Sequence, residues 1–195
     1  MRNCELMRKT KETDVYLALE LDGKKSGEIN TPVGFFNHML ELFRNHSGFD
    51  FTVIASGDVE VDFHHITEDI GILLGQAFNN CLKDKKGITR YASITLPMDE
   101  SLVLASVDIS GRPYLAYDVE YPTPAINNFD MQLIEEFLYA FASNAKITLH
   151  IKKLSGTNSH HIAEAVFKSL AYVLKKAVSI DKNNIDDIPS TKGVL

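Results

Sequence analysis

The chain has 195 residues, a length that suits one compact unit or two small halves that fold together. Its hydrophobic and charged fractions, 45% and 24%, are ordinary for a soluble globular protein, and its net charge of −6 argues against nucleic-acid binding. No apolar run reaches the ~18 residues of a membrane-spanning helix, and the N-terminal segment lacks the apolar stretch of a signal peptide. With two distant cysteines, Cys4 and Cys81, we expect a cytoplasmic protein with reduced thiols and no membrane association.

Hydrophobic periodicity predicts strands and helices in alternation along the chain. Thr31 and Pro32 are typical of a helix start, with Thr31 as the N-cap residue. In chain order we expect a strand at 15–22, a helix at about 32–46, a strand at 49–57, a helix at about 64–83, a strand at 113–120, a helix at about 129–143, a strand at 145–153 and a helix at about 160–179.

The second part of the chain repeats the first. At a shift of 96 residues, the strand pattern at 49–57 falls on 145–153, and the helical stretch that follows also finds its match without a gap. At a shift of 98 residues, 15–22 resembles 113–120. The order of strands, helix, strand and helix therefore occurs twice.

This duplication predicts the domain organisation. No linker or low-complexity segment separates the two parts, so we expect a single domain, 1–195, built from two pseudo-repeats of about 1–88 and 89–195. Each part supplies strands and two helices with an apolar face. The simplest packing places the four helices between two sheets.

A polar motif opens one helix of each pseudo-repeat. Two adjacent histidines are followed three residues later by a glutamate, as His64, His65 and Glu68 and again as His160, His161 and Glu164. Neighbouring side chains on a helix diverge by about 100°, so adjacent histidines suit two metal ions better than one. A polar helix start would explain one such pair, but two pairs in register, each with its glutamate, indicate metal binding. These ligands favour Mn, Zn or Fe over Ca.

Three histidines lie outside the motif. His38 is inside the first predicted helix, and His150 is on a predicted strand. At the predicted shift they correspond to Ile134 and Ile54, so each half adds one histidine of its own. The total is six histidines and two glutamates, or four ligands for each of two ions, which leaves positions open for a substrate. His46 is better explained as a cation at a helix end.

The chain resembles imidazoleglycerol-phosphate dehydratase, an enzyme family of histidine biosynthesis, over essentially its whole length. The matching segments are RKTKET (8–13), GFFNHMLELFRNHSGFD (34–50), DFHHITEDIGILLGQA (62–77), MDESL (98–102), DISGRPY (108–114), NSHHIAEAVFK (158–168) and STKGVL (190–195). Asn37 stands where the family usually has Asp, and Leu42 where many members have Gln. The resemblance implies an α+β fold of the ribosomal protein S5 domain 2-like type, with two four-stranded sheets sandwiching four helices. It also implies a homo-24-mer assembled from trimers.

The resemblance implies a role for each candidate site residue. Two Mn²⁺ per active site would be held by His38, His64, His65, Glu68, His150, His160, His161 and Glu164. Glu12 would act on the substrate as acid and base. The phosphate of the substrate would be held by Arg90, Arg112, Ser190 and Lys192, whose guanidinium, hydroxyl and ammonium groups suit phosphate oxygens.

The family reaction removes water from D-erythro-imidazoleglycerol phosphate and gives imidazole acetol phosphate. The resemblance implies a di-metal-bound imidazolate and a diazafulvene intermediate, because the carbon that loses its proton has no carbonyl neighbour. Two alternatives use a similar ligand set. A metallohydrolase with a bridging water would not need an imidazole in its substrate, and a metal store would not need Arg90, Arg112 or Lys192.

Overall fold

The computed structural model describes residues 1–195, which form ten strands and four helices. The first half contains β1 (Asn3–Lys9), β2 (Thr13–Glu20), β3 (Ile29–Asn30), α1 (Gly34–Ser47), β4 (Asp50–Gly57) and α2 (His64–Leu82). The second half contains β5 (Tyr91–Met98), β6 (Ser101–Asp108), β7 (Tyr114–Asp118), β8 (Ala125–Ile126), β9 (Phe129–Asp130), α3 (Gln132–Ala145), β10 (Thr148–Ser155) and α4 (Ser159–Ala177). None of the helices combines the length and the apolarity needed to cross a membrane.

Each half contributes one four-stranded sheet. The strand orders are β1-β2-β4-β3 and β5-β6-β10-β7, and in each sheet only the last strand pairs in parallel. Burial alternates along β2 and β6, so each sheet has one face in the core and one face toward solvent. A two-stranded hairpin of β8 and β9 is added in the second half. The predicted α+β fold with two four-stranded sheets and four helices is confirmed.

The helices of the two halves pack crosswise. The helix α2 packs on the first sheet and on α3, whereas α4 packs on the second sheet and on α1. Two glycines permit the close approach of α2 and α3, since a Cβ at Gly71 would lie 2.7 Å from the carbonyl oxygen of Phe137. At Gly75 the corresponding distance to the carbonyl oxygen of Phe141 is 2.5 Å. This crosswise packing brings residues of α1 beside the histidine motif of α4.

Phenylalanine rings fill the centre of the helical layer. The ring of Phe36 on α1 meets Phe137 on α3 edge-on, with 5.2 Å between centroids, and Phe137 stacks on Phe167 of α4 at 5.5 Å. All three side chains are completely buried. Burial of such a side chain is worth about 1.5–3 kcal/mol, and each aromatic pair adds about 0.5–1.5 kcal/mol. Residues from both halves therefore share one apolar core.

The strands of the repeat correspond differently from the prediction. The strand pairings show which strands of the two halves correspond. The strands β1 and β2 correspond to β5 and β6 at a shift of 88 residues (Thr13 to Ser101). The strand β4 corresponds to β10 at a shift of 98 residues (Asp50 to Thr148). The predicted match of 15–22 with 113–120 is therefore wrong, because β7 lies at the sheet edge that β3 occupies in the first half. The two-residue error at 145–153 kept every side chain on its face, so alternation could not reveal it.

The corrected shift also changes the partners assigned to two histidines. The helices α1 and α3 also correspond at a shift of 98 (Gly34 to Gln132), so His38 corresponds to Glu136 and His150 to Thr52, rather than to Ile134 and Ile54. The prediction that each half adds a histidine without a histidine counterpart is unaffected.

Two predicted helix starts differ from the structure. The first helix begins at Gly34, and the hydroxyl of Thr31 accepts a bond from the backbone N–H of Val33 at 3.1 Å. The same hydroxyl donates to the side chain of Asn37 at 2.6 Å, so Thr31 orders the approach to the helix and is not its N-cap. The third helix begins at Gln132 because the residues before it form β9.

Candidate active site and metal centre

Three predicted ligands converge where α1 crosses α4. The Nε2 atom of His38 lies 2.9 Å from Oε1 of Glu164, and Nε2 of His160 lies 3.2 Å from the same oxygen. The ligand atoms of the three side chains all lie within 4.8 Å of one another. His160 and Glu164 are one helical turn apart, so α4 presents both on one face, and α1 supplies the third ligand. This group is the candidate metal centre.

Glu164 carries the negative charge of this centre. Its burial would raise its pKa, but hydrogen bonds from Lys168 and His38 outweigh this effect and lower the pKa to about 2. The ammonium of Lys168 lies 2.6 Å from the second carboxylate oxygen, Oε2. Two imidazoles and one carboxylate match the ligand preference of Mn, Zn or Fe. The residues of this centre therefore fit a divalent transition metal, with coordination positions left for other ligands.

The motif of the first half lies at the start of α2. The backbone N–H of His64 donates to the carboxylate of Asp62 at 2.7 Å, which satisfies one of the free donors at the helix end. The Nδ1 atom of His65 lies 3.1 Å from both oxygens of Asp58 and 3.9 Å from Oε2 of Glu12. The hydrogen bond with Asp58 raises the pKa of His65. The predicted acid/base residue Glu12 is thus adjacent to the first motif.

The second histidine of the other motif has a similar partner. The Nδ1 atom of His161 lies 2.8 Å from Oε2 of Glu100, in the turn between β5 and β6. This hydrogen bond raises the pKa of His161 and holds that of Glu100 well below its usual range. The N-cap of α4 is Asn158, whose side chain accepts from the backbone N–H groups of His160 and His161 at 2.9 and 3.3 Å. Both motif histidines of α4 are therefore fixed through backbone and side chain.

The other predicted ligands do not join the triad within one chain. His150 lies on β10, and its side chain is exposed on the solvent face of the second sheet. The centroid of its ring lies 5.8 Å from that of Tyr114. His64 and Glu68, on α2, are half-buried and belong to no second group of three converging ligand atoms. A single chain thus presents one converged centre, and the remaining predicted ligands lie outside it on α2, on β10 and at His161 of α4.

The four predicted phosphate contacts lie in or near the C-terminal segment, residues 189–195. Arg90 donates to Asp108 at 2.8 Å and to the carbonyl oxygen of Pro189 at 2.7 Å, which ties the segment to the second sheet. Arg112 lies 3.9 Å from the same Asp108, with its side chain 67% exposed. Ser190 and Lys192 follow in the segment, and the Ser190 hydroxyl accepts from the backbone N–H of Lys192 at 3.2 Å.

Comparison with known proteins assigns the chain to a family. A model of the imidazoleglycerol-phosphate dehydratase family matches residues 31–174, which include both histidine motifs. The chain belongs to the imidazoleglycerol-phosphate dehydratase family. The family is metal-dependent, and its members are carbon–oxygen hydro-lyases of histidine biosynthesis. The chain is accordingly an enzyme that performs a dehydration step of that pathway.

Individual members of the dehydratase family match the chain over its full length. The imidazoleglycerol-phosphate dehydratase of Azorhizobium caulinodans is 54% identical over 100% of this chain and 99% of its own length. That of Caldanaerobacter subterraneus is 53% identical over 100% of both chains. The crystal structure of the Staphylococcus aureus dehydratase superposes with a TM-score of 0.84, at 40% identity over 92% of this chain and 99% of that one. The Pyrococcus furiosus structure gives 0.83 at 40% identity, over 97% of this chain and 100% of its own.

Sequence reasoning missed three charged groups of the candidate site. Asp58, Glu100 and Lys168 contact the motif residues directly. Lys168 lies four residues after Glu164 on a predicted helix, and that spacing was the one available signal. Asp58 and Glu100 reach their histidines through strand-end and turn geometry that residue spacing does not encode.

Proposed function

We propose that the chain converts D-erythro-imidazoleglycerol phosphate to imidazole acetol phosphate with two Mn²⁺ per active site. The observation that carries this proposal is the convergence of His38, His160 and Glu164 where α1 crosses α4. Membership of the dehydratase family supplies the reaction class. The three side chains provide part of one ion's coordination, and the remaining predicted ligands would complete both ions.

Completion of the sites requires more than one chain. His150 faces outward from the second sheet, and the motif of α2 lies apart from the triad, so neighbouring copies would bring these ligands to the triad. We infer a homo-24-mer assembled from trimers, in the cytoplasm, with metal ions at the contacts between chains. Chelation would then reduce the size of the particle as well as its activity, and light scattering with and without chelator measures this directly.

The substrate's own ring is the electron sink of the proposed reaction. When bound, the two ions stabilise negative charge on the imidazole ring of the substrate. Expulsion of the hydroxyl from the carbon beside the ring leaves a diazafulvene. Loss of a proton from the next carbon then gives an enol, which becomes the ketone, so that one molecule of water is removed in total.

Glu12 is the proposed acid and base. Its side chain is 54% exposed and its Oε2 atom lies 3.9 Å from Nδ1 of His65, so the carboxylate is open to a substrate and adjacent to a predicted metal ligand. A carboxyl group in this place can give a proton to the departing hydroxyl and then, as the carboxylate, take the proton from the next carbon.

The phosphate would be held at the C-terminal segment. The exposed guanidinium of Arg112 offers paired N–H donors, and Ser190 and Lys192 add a hydroxyl and an ammonium. Arg90 holds this segment to the second sheet through its hydrogen bond to Pro189, so the segment would be partly ordered before the substrate binds. Fixing the phosphate aligns the glycerol carbons for elimination.

Turnover of the named substrate tests the proposal. Manganese-reconstituted protein is incubated with imidazoleglycerol phosphate while ketone and inorganic phosphate are followed together, with Glu12→Gln as a parallel sample. Ketone formation without phosphate release is the expected result. Phosphate release without ketone would indicate a metallohydrolase, and bound metal without any turnover would indicate a metal store.

A further inference from the structure

The duplicated halves place a glutamate in the same turn. The turn between β1 and β2 corresponds to the turn between β5 and β6, so Glu12 before Thr13 is the counterpart of Glu100 before Ser101. The two glutamates nevertheless differ in their contacts. Oε2 of Glu100 lies 2.8 Å from Nδ1 of His161, at hydrogen-bond distance, whereas Oε2 of Glu12 lies 3.9 Å from Nδ1 of the corresponding His65.

Another carboxylate occupies this position in the first half. Both oxygens of Asp58, just after β4, lie 3.1 Å from Nδ1 of His65. A bulge in β10 shifts the register by one residue between Lys153 and Ser155, so Gly57 corresponds to Gly156 and Asp58 to Thr157, which carries no carboxylate. Each half therefore places one carboxylate on Nδ1 of its second motif histidine, but takes that carboxylate from a different part of the fold.

We propose that Asp58 and Glu100 are positioning residues that orient His65 and His161 for metal binding through Nε2. Because Asp58 serves the first half, Glu12 is free to act on the substrate. This inference rests on the proposed function, since it concerns the orientation of two predicted metal ligands.

The physical basis is the tautomer of the imidazole ring. A neutral histidine has one N–H donor and one acceptor nitrogen, and an ionised carboxylate can only accept. A carboxylate on Nδ1 therefore places the hydrogen there and leaves the lone pair of Nε2 for the ion. Nε2 of His161 has no competing hydrogen bond, because the nearest carboxylate, that of Asp99, is 3.8 Å away.

Glu100 is itself held in place. Its other oxygen, Oε1, accepts from the hydroxyl of Ser101 at 2.9 Å and from the backbone N–H groups of Thr157 and Asn158 at 3.1 and 2.9 Å. Glutamine at this position keeps a carbonyl oxygen for these donors. Its amide nitrogen would donate toward His161, which reverses the favoured tautomer without removing the support of the loop.

The affinity for Mn²⁺ shows whether Glu100 and Asp58 orient the histidines or only stabilise the loops around them. Metal-free wild type, Glu100→Gln and Asp58→Asn are titrated with Mn²⁺ against a fluorescent chelator at pH 8, and the melting temperature of each metal-free protein is recorded. We expect both variants to lose about 10–100-fold in affinity for one of the two ions. Their metal-free melting temperatures should stay close to that of wild type.

Two control variants complete the experiment. Ser101→Ala removes one bond to Oε1 of Glu100 but leaves the contact with His161, and Glu12→Gln changes the counterpart carboxylate, so both should bind Mn²⁺ like wild type. Unchanged affinity in Glu100→Gln and Asp58→Asn, or an equal loss in Ser101→Ala, would overturn the inference. If Glu100→Gln does not fold, Asp58→Asn decides the same question in the other half. Wild type that binds no Mn²⁺ would overturn the proposed function as well.

Discussion

His38 and Glu164 are 126 positions apart in the sequence, yet Nε2 of the first lies 2.9 Å from Oε1 of the second. The contact exists because α1 of one pseudo-repeat packs on α4 of the other. Duplication alone would give two similar helices with polar starts. The crosswise packing brings His38 of the first half beside His160 and Glu164 of the second, and so completes the group of three converging side chains.

Loss of the Glu164 carboxylate should remove metal from this site. Glu164→Gln keeps the size of the side chain but loses the charge that balances Lys168 and a divalent ion. Loss of a residue that only hydrogen-bonds to a metal ligand typically costs about 10–100-fold in metal affinity. We expect the affinity for Mn²⁺ to fall by at least this much, because Glu164 is a predicted ligand itself. Elemental analysis after dialysis measures the retained metal. The exposed Glu41 of α1 provides the control variant Glu41→Gln, and full metal content in Glu164→Gln would remove this residue from the ligand set.

Glu12→Gln should retain metals and fold but lose most of its activity. The amide is isosteric with the carboxylate and cannot transfer a proton, a role typically worth about 10²–10⁴-fold in rate. The measurement is kcat at saturating substrate, together with the metal content of the same sample. Glu28→Gln, at another exposed glutamate of the first half, is the matched control. An unchanged kcat would exclude Glu12 from the proton steps.

Lys192→Ala should raise KM for the phosphorylated substrate more than it lowers stability. Lys192 is exposed, and its neighbourhood is held by the bond from Arg90 to Pro189 and not by the Lys192 side chain. Deletion of 190–195 should have the same effect to a larger degree. Lys182→Ala, at an exposed lysine just before the segment, should leave KM unchanged. Unfolding without a change in KM would assign the segment a structural role.

The pH dependence of metal-free stability should reveal the contact between Asp58 and His65. The folded-state pKa of His65 is raised by Asp58, so its contribution to stability is complete below the unfolded value of about 6.5. That contribution is lost as the pH rises through the folded pKa. Wild type in chelator should therefore melt above Asp58→Asn at pH 6, with a difference that shrinks toward pH 8. His46 titrates in both proteins, so its effect cancels.

The opposite trend is expected with manganese. Metal binding requires neutral imidazoles and releases protons, so the stabilisation by Mn²⁺ should grow over the same pH range. A difference between wild type and Asp58→Asn in chelator that is constant from pH 6 to pH 8 would contradict the assigned contact.

The sequence was sufficient to locate α2 and α4 and the two motifs that these helices carry. Apolar residues at helical spacing located α2 and α4 to within two residues, and the repeated His-His-x-x-Glu pattern gave the triad two of its members. The strand correspondence was not predictable in this way, because any even shift preserves the alternation of faces. His38 was predicted as a ligand, but its neighbours follow from helix packing that no residue spacing specifies.

The carboxylates behind the histidines were beyond reach for a related reason. Glu100 is 61 positions from His161 and contacts it only because the turn between β5 and β6 lies over the start of α4. A carboxylate in a turn is usually solvated, so the presence of Glu100 in a turn does not by itself indicate a contact with a histidine.

Manganese titration of the metal-free enzyme, with turnover of imidazoleglycerol phosphate followed at each step, tests the central claim most directly. We expect no ketone without metal and a rise in activity to a plateau at two Mn²⁺ per chain. Full activity in the presence of chelator, or a plateau at one ion per chain, would contradict it.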